Sequence, residues 1–348
     1  MRPVALVLYI LFLGAWSTGH AADGYAERIA DAHIVPRYQR LADSTRLLAE
    51  AAAAQCGQGE DSENALQGSF SEAFLAWQGV QHLRLGPVTY LSRDFRFQLW
   101  PDKRGAVSRH LAQLLAGGDP SRLEAERFAS GSAAVQGFGA LELLLFRSPD
   151  PALDPDWYCQ VVSRVSANLA QMAADTLADW TAGADPYRAV FAGTGVGSVR
   201  AEYERPLSGQ LLNNLHTQLE RMVTQKLDEP LGTTPGRTFP RRAEAWRSGL
   251  SRAALVANLA ALKELYDVAL APRLDDADLD RRLRSAFDEA ARQLHANTEP
   301  LDTAVTQPDA WAALDALRGH LAALKALVAA ELASALGVGI GFNSLDGD

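Results

Sequence analysis

The sequence predicts an all-α protein of two helical bundles, and three observations carry that reading. Ala and Leu dominate while β-branched residues are sparse, and strand-type alternation is hard to find. Several helix starts are marked by Asp or Thr near a Pro, which suits N-cap and first-turn positions: Asp119-Pro120, Asp154-Pro155, Asp185-Pro186 and Thr306-Gln307-Pro308. A composition shift at Thr181-Ala182-Gly183-Ala184-Asp185-Pro186 divides the chain into 22–183 and 184–348, each holding several long helices.

Taken in order, the chain opens with Met1-Arg2-Pro3 and runs apolar from Val4 to Trp16 before small residues take over. This is the pattern of a secretory signal peptide spanning 1–21, cleaved after Ala21. The apolar run is shorter than the roughly 20 residues a spanning helix needs, so the expectation is a soluble exported protein with no membrane span after cleavage. Helices are expected at 24–55, 62–84, 103–116, 120–147, 153–182, 186–192, 199–228, 241–269, 277–297 and 308–336. Pro36 kinks the first of these or marks its start. The segments 85–102, 229–240 and 337–348 read as loops. Helix 308–336 is strongly apolar, but Asp309, Asp315, Arg318, Lys325 and Glu331 punctuate it as a core helix.

Composition excludes several functions. The 348 residues carry a formal charge of −9, which argues against a nucleic-acid partner, because phosphate binding needs a basic surface. Two cysteines cannot build a Cys-rich zinc site. In an exported protein, Cys56 and Cys159 either form one disulfide or stay as buried thiols. There is no H-E-x-x-H, no E-x-x-H pair, no C-x-x-C-H, and no convincing G-x-S-x-G, Walker A loop or dinucleotide fingerprint.

Four stretches could carry chemistry. The first runs through Trp77-Gln78-Gly79-Val80-Gln81-His82 to Arg96, Trp100, Pro101 and Asp102. It collects aromatic faces, a His and guanidinium forks around turn residues, fit either to hold an anionic or planar ligand or to pin a long loop to the bundle. The second is Gly137-Phe138-Gly139-Ala140-Leu141-Glu142. Its two glycines suggest close approach of another segment, and a lone carboxylate in an apolar run needs a partner, either an Arg or a metal. The third is the tail, Phe342-Asn343-Ser344-Leu345-Asp346-Gly347-Asp348, whose oxygens suit a hard cation or simply water. The fourth, Glu244-Ala245-Trp246-Arg247-Ser248 with Asn258, places polar groups where they line a cleft or form a paired helix face.

Together these segments resemble the imelysin-like family of exported bacterial proteins, over essentially the whole mature chain from His33-Ile34-Val35-Pro36-Arg37-Tyr38 onward. The likeness rests on Trp77-Gln78-Gly79-Val80-Gln81-His82-Leu83-Arg84, on Trp100-Pro101-Asp102-Lys103, and on the Phe342-to-Asp348 ending. It implies two helical bundles with a site between them and a link to bacterial iron acquisition. Some relatives are classed as metallopeptidases and others as periplasmic components of metal uptake. The family's hallmark is a G-x-H-x-x-E helix. Gly137 and Glu142 match its ends, but Gly139 stands in the His position and offers no nitrogen ligand.

The expected function is therefore a non-enzymatic periplasmic protein of iron or metal homeostasis, binding a ligand or partner at the cleft. The expected ligand-binding residues are Glu142, Arg96, Trp100, His82, Trp77, Trp246, Arg247, Gly137 and Gly139. For iron or another divalent metal ion, the candidate ligands are Glu142, His33 and Asp346. The alternatives are an imelysin-type metallopeptidase and an assembly partner of an outer-membrane or periplasmic iron-uptake or redox protein.

Overall fold

The computed structural model describes residues 24–147, 150–193, 207–296 and 298–339. The expected signal peptide at 1–21 and the tail with Asp346 lie outside the described residues. Among the described residues every regular element is helical. The first helix, α1, covers 25–55 and is followed by α2 (Glu60–Val80), α3 (Ala106–Gly117), α4 (Phe138–Leu145) and α5 (Pro155–Thr181). Then come α6 over 207–231, α7 over 251–270, α8 (Ala277–Ala296) and α9 over 308–335.

The start signals act where the sequence puts them. Asp154 accepts a hydrogen bond from the Asp156 amide with Pro155 in the first turn of α5, and Pro308 opens α9. Glu60, Asp61 and Glu63 place negative charge on the positive end of the α2 dipole. Pro36 does not break α1. A π turn, Ala30–Ile34, precedes it, and that wider turn leaves room for the pyrrolidine ring and its missing N–H donor. Further π turns lie within α6 (Met222–Asp228), α7 (Tyr266–Leu270) and α9 (Val328–Leu332).

Two expected helices are interrupted. The stretch 120–147 is a 3-10 turn, a short helix (Ala125–Ala129), a second 3-10 turn (Ala133–Val135) and α4. The break at Gly137 has a steric cause: a Cβ there would lie 2.2 Å from the Phe97 carbonyl oxygen and 2.3 Å from that of Arg96, so the crossing backbone admits only glycine. The stretch 241–250 is a loop instead of the first turns of α7. Ala245 (φ 49°) and Gly249 (φ 70°) adopt left-handed conformations in it. The expected loop at 85–102 contains a 3-10 segment, Gly86–Ser92, and a short helix, Arg93–Phe97.

α1 packs along α2 and α5. α7 packs on α8 and also on α2, and α8 packs on α9. The apolar core is continuous, from Tyr38, Phe70, Phe74 and Trp180 on one side to Leu262, Tyr266, Phe287 and Leu321 on the other. The α2–α7 contact joins elements on either side of the composition shift at 181–186, and the polar interior described below lies along it.

Candidate functional site

A cleft of about 610 Å³ is lined by segment 99–108, by Gly139, Glu142 and Leu143 of α4, by Glu229 at the end of α6, and by the 241–247 loop. Each wall has a local cause. Phe97 is fully buried and stacks on Trp77 with ring centroids 4.7 Å apart, so the chain beyond it leaves the core at a fixed point and carries Leu99, Trp100 and Pro101 to the rim. Asp102 then accepts from the amides of Ala106 and Val107, both at 2.8 Å, and so starts α3. Gly139 faces the cleft, and a Cβ there would meet only the Val107 methyls at 3.8 Å. Where the family motif has an imidazole, this chain has open space.

Glu142 is the buried carboxylate of this cleft. Its Oε1 accepts from the Arg247 amide at 3.1 Å, the Ser248 amide at 3.0 Å and the Ser248 hydroxyl at 2.9 Å. Burial raises its pKa, and the donors of Ser248 and the nearby Arg247 charge oppose the rise only in part. Across the cleft, the Arg247 guanidinium carbon lies 4.3 Å and that of Arg241 5.6 Å from the centre of the Trp246 indole. Glu229 pairs with Arg242 at 3.1 Å. The cleft thus combines two indoles, several guanidinium groups and carboxylates that protein donors already hold.

The structure brings Glu142, Gly139, Trp100, Trp246 and Arg247 to one cavity and directs other candidates elsewhere. Gly137 lies beneath the crossing 96–97 backbone. The Arg96 Nε donates to Gln136 Oε1 at 2.6 Å, and Arg96 does not line the cleft. Trp77 is buried and donates from Nε1 to Gln98 Oε1 at 2.8 Å. His33 and His82, both fully buried, meet each other away from the cleft, Nε2 to Nε2 at 2.8 Å. His33 Nδ1 lies 2.8 Å from Glu264 Oε1, and Arg37 donates to Glu264 Oε2 at 2.7 Å. Burial lowers the pKa of both imidazoles, that of His82 strongly. Cys56 and Cys159 form a disulfide that ties the end of α1 to the start of α5.

The donor set does not fit a metal centre. Gly139 supplies no ligand, Glu142 already receives three hydrogen bonds on one oxygen, and among the described residues no three His, Cys, Asp or Glu side chains are grouped to hold an ion.

Behind the 241–247 loop lies a buried ion pair that sequence reasoning missed on one side. Lys226 Nζ sits 2.7 Å from Glu244 Oε2 and donates to Gln78 Oε1 at 2.7 Å and to Asn258 Oδ1 at 2.6 Å. Glu244 Oε1 accepts from Gln98 at 2.9 Å and Gln78 at 3.2 Å. Both charged side chains are about 1–2% exposed, and burial pushes the lysine pKa down to about 8. The sequence singled out Glu244 and Asn258 but not Lys226, whose polar neighbours Thr224, Gln225 and Asp228 give no local sign of burial.

Among the described residues the protein is all-helical, with a cleft walled by the start of α4 and the 241–247 loop. The imelysin family (peptidase family M75) matches residues 34–328, and the chain belongs to that family. An imelysin-like protein from Psychrobacter arcticum shares 24% identity at a TM-score of 0.76, covering 91% of this chain and 96% of its own. A protein from Parabacteroides distasonis that carries the name iron-regulated protein A precursor shares 14% identity at a TM-score of 0.70, covering 88% and 93%. Both likenesses concern the fold. No curated protein matches the chain. Among the described residues no helix is long and apolar enough to cross a membrane.

Proposed function

We propose that the protein is an exported, non-enzymatic member of the imelysin family that serves iron or metal homeostasis in the periplasm by binding a ligand at the Glu142 cleft. The observation that carries this reading is the convergence of Glu142, Gly139, Trp100, Trp246 and Arg247 on one cavity of about 610 Å³, a volume in the range of small-molecule sites. The iron link comes from the family and from the name of the Parabacteroides relative. The non-enzymatic reading comes from chemistry. A metallopeptidase needs a metal-activated water and a base, and the motif's nitrogen ligand is Gly139 here.

Isothermal titration of the mature protein with Fe²⁺, Zn²⁺, Ca²⁺ and iron chelates tests the cleft. Binding that Trp246→Ala or Trp100→Ala weakens at least tenfold is the expected result, and failure of every ligand overturns it. Chelator-sensitive cleavage of casein by the pure protein would overturn the non-enzymatic reading.

A further inference from the structure

We infer that the ligand of this cleft is a small organic anion carrying two or more carboxylate groups, free or as a metal chelate, and that Arg241 and Arg247 grip it against the Trp246 indole. The inference rests on the cleft being a ligand site and adds the ligand's chemistry.

Three features of the cleft point to this class. The first is an imbalance of partners. Each carboxylate in the cleft wall is already engaged: Asp102 by two amides, Glu229 by Arg242, and Glu142 by the 247–248 backbone and the Ser248 hydroxyl. The guanidinium groups of Arg241 and Arg247 make no hydrogen bond or ion pair among the described residues, although acidic residues outnumber basic ones by nine in this chain. Burial lowers the Arg247 pKa, the Glu142 charge opposes that shift, and the like charges of Arg147 and Arg241 add to it, so three guanidinium groups crowd one region around a carboxylate whose Oε1 already takes three hydrogen bonds. An added anion would relieve both that repulsion and the exposed donors.

The second feature is shape. Guanidinium forks pair in two-pronged fashion with carboxylates, and stacking on an indole leaves their in-plane N–H groups free to donate. Two such forks on one ring, with guanidinium carbons 5.6 and 4.3 Å from its centre, offer separate docking points for two carboxylates on one molecule. The third feature is size. The space is far larger than an inorganic ion needs, and Trp100, Leu99 and Leu143 supply apolar wall for a carbon skeleton.

Titration calorimetry with citrate, ferric citrate, acetate, inorganic phosphate and Zn²⁺ alone provides the test. Citrate or ferric citrate is expected to bind at least tenfold more tightly than acetate or phosphate. The Arg241→Ala/Arg247→Ala double variant, with its helical circular dichroism intact, is expected to lose roughly 10–100-fold in affinity, as befits two charge-assisted contacts. Citrate binding alone identifies a free acid as the ligand, and preference for ferric citrate identifies a chelate. Equal binding of acetate, preference for phosphate, or affinity unchanged in the double variant overturns the inference. Binding of Zn²⁺ alone at the Trp246 cleft overturns the anion while leaving a cleft ligand. No binding of any probe overturns both.

Discussion

Replacing Lys226 by Met tests how the cleft loop is held. The substitution keeps an apolar stem of similar length and removes the ammonium that holds Glu244 Oε2 at 2.7 Å. The Glu244 carboxylate, about 1% exposed, then keeps only the Gln78 and Gln98 donors on its other oxygen. Breaking one side of a buried ion pair costs about 3–5 kcal/mol because the other charge stays behind unpaired. The unfolding entropy near the midpoint is about 2.1 cal/mol/K per residue, which for a chain of this length comes to roughly 0.7 kcal/mol/K. A loss of about 4 kcal/mol therefore lowers Tm by roughly 6 °C. Differential scanning calorimetry at pH 7 reads this directly. The Lys226→Met/Glu244→Gln double variant removes both charges and is expected to recover part of the loss, which a double-mutant cycle reports as a coupling energy. A Tm drop under about 2 °C for Lys226→Met, or a double variant as unstable as the two singles added, would refute the account of a mutually compensating buried pair.

The two glycines of α4 predict opposite outcomes. Gly137→Ala drives a methyl into the Phe97 and Arg96 carbonyls and should cost several kcal/mol by chemical denaturation, whereas Gly139→Ala has room and should change stability by under about 1 kcal/mol; equal costs would contradict the steric reading. Glu142 has a raised pKa, so its contribution is fully present below the usual value of 4.5 and is lost as pH rises through the raised value. Glu142→Gln should therefore gain stability relative to the parent between pH 4 and pH 7 in paired thermal melts, and a relative loss over that range would reverse the sign assigned to burial. Reducing the Cys56–Cys159 bond, which spans 103 residues, should lower stability by roughly 4–5 kcal/mol in the loop-entropy model, read as a Tm difference with and without reductant; an unchanged Tm would deny the bond a role in stability.

The helical architecture was legible because its signals are local. Capping Asp154, Pro155 and Pro308 act within one turn, and the Ala- and Leu-rich runs need no distant partner to declare a helix. The clustering of Glu142, Trp100, Trp246 and Arg247 was also legible, since each stood out against its neighbours: a carboxylate among leucines, or indoles beside arginines and turn residues. What the sequence hid depends on register and on long-range contact. A π turn inserts one extra residue and rotates the following face by about 100°, so a 3.6-residue period misassigns what lies beyond it. Lys226 and His33 both sit in such turns, and both point inward where a simple period gives no warning. The 241–250 loop was read as helix for a related reason. Its residues favour helix locally, but burial of Glu244 against Lys226 of α6 and Gln98 of a third segment outweighs that preference.

The two polar layers between α2 and α7 explain why the cleft keeps its shape. One layer joins Gln78 of α2 to Asn258 of α7, Lys226 of α6 and Glu244 of the cleft loop. The other joins His82, just past the end of α2, to His33 of α1 and Glu264 of α7. An apolar contact would tolerate sliding of one helix along another, because dispersion and burial carry little direction. Hydrogen bonds at 2.6–2.8 Å to Asn258 and Gln78 do not tolerate it, since a shift of one residue would leave buried donors unmet. Glu244 sits two residues before Trp246, so the same bonds that fix α2 against α7 also fix the indole and the two arginines stacked on it. The buried charges therefore act chiefly on position, and the loop they anchor carries the cleft's cationic wall.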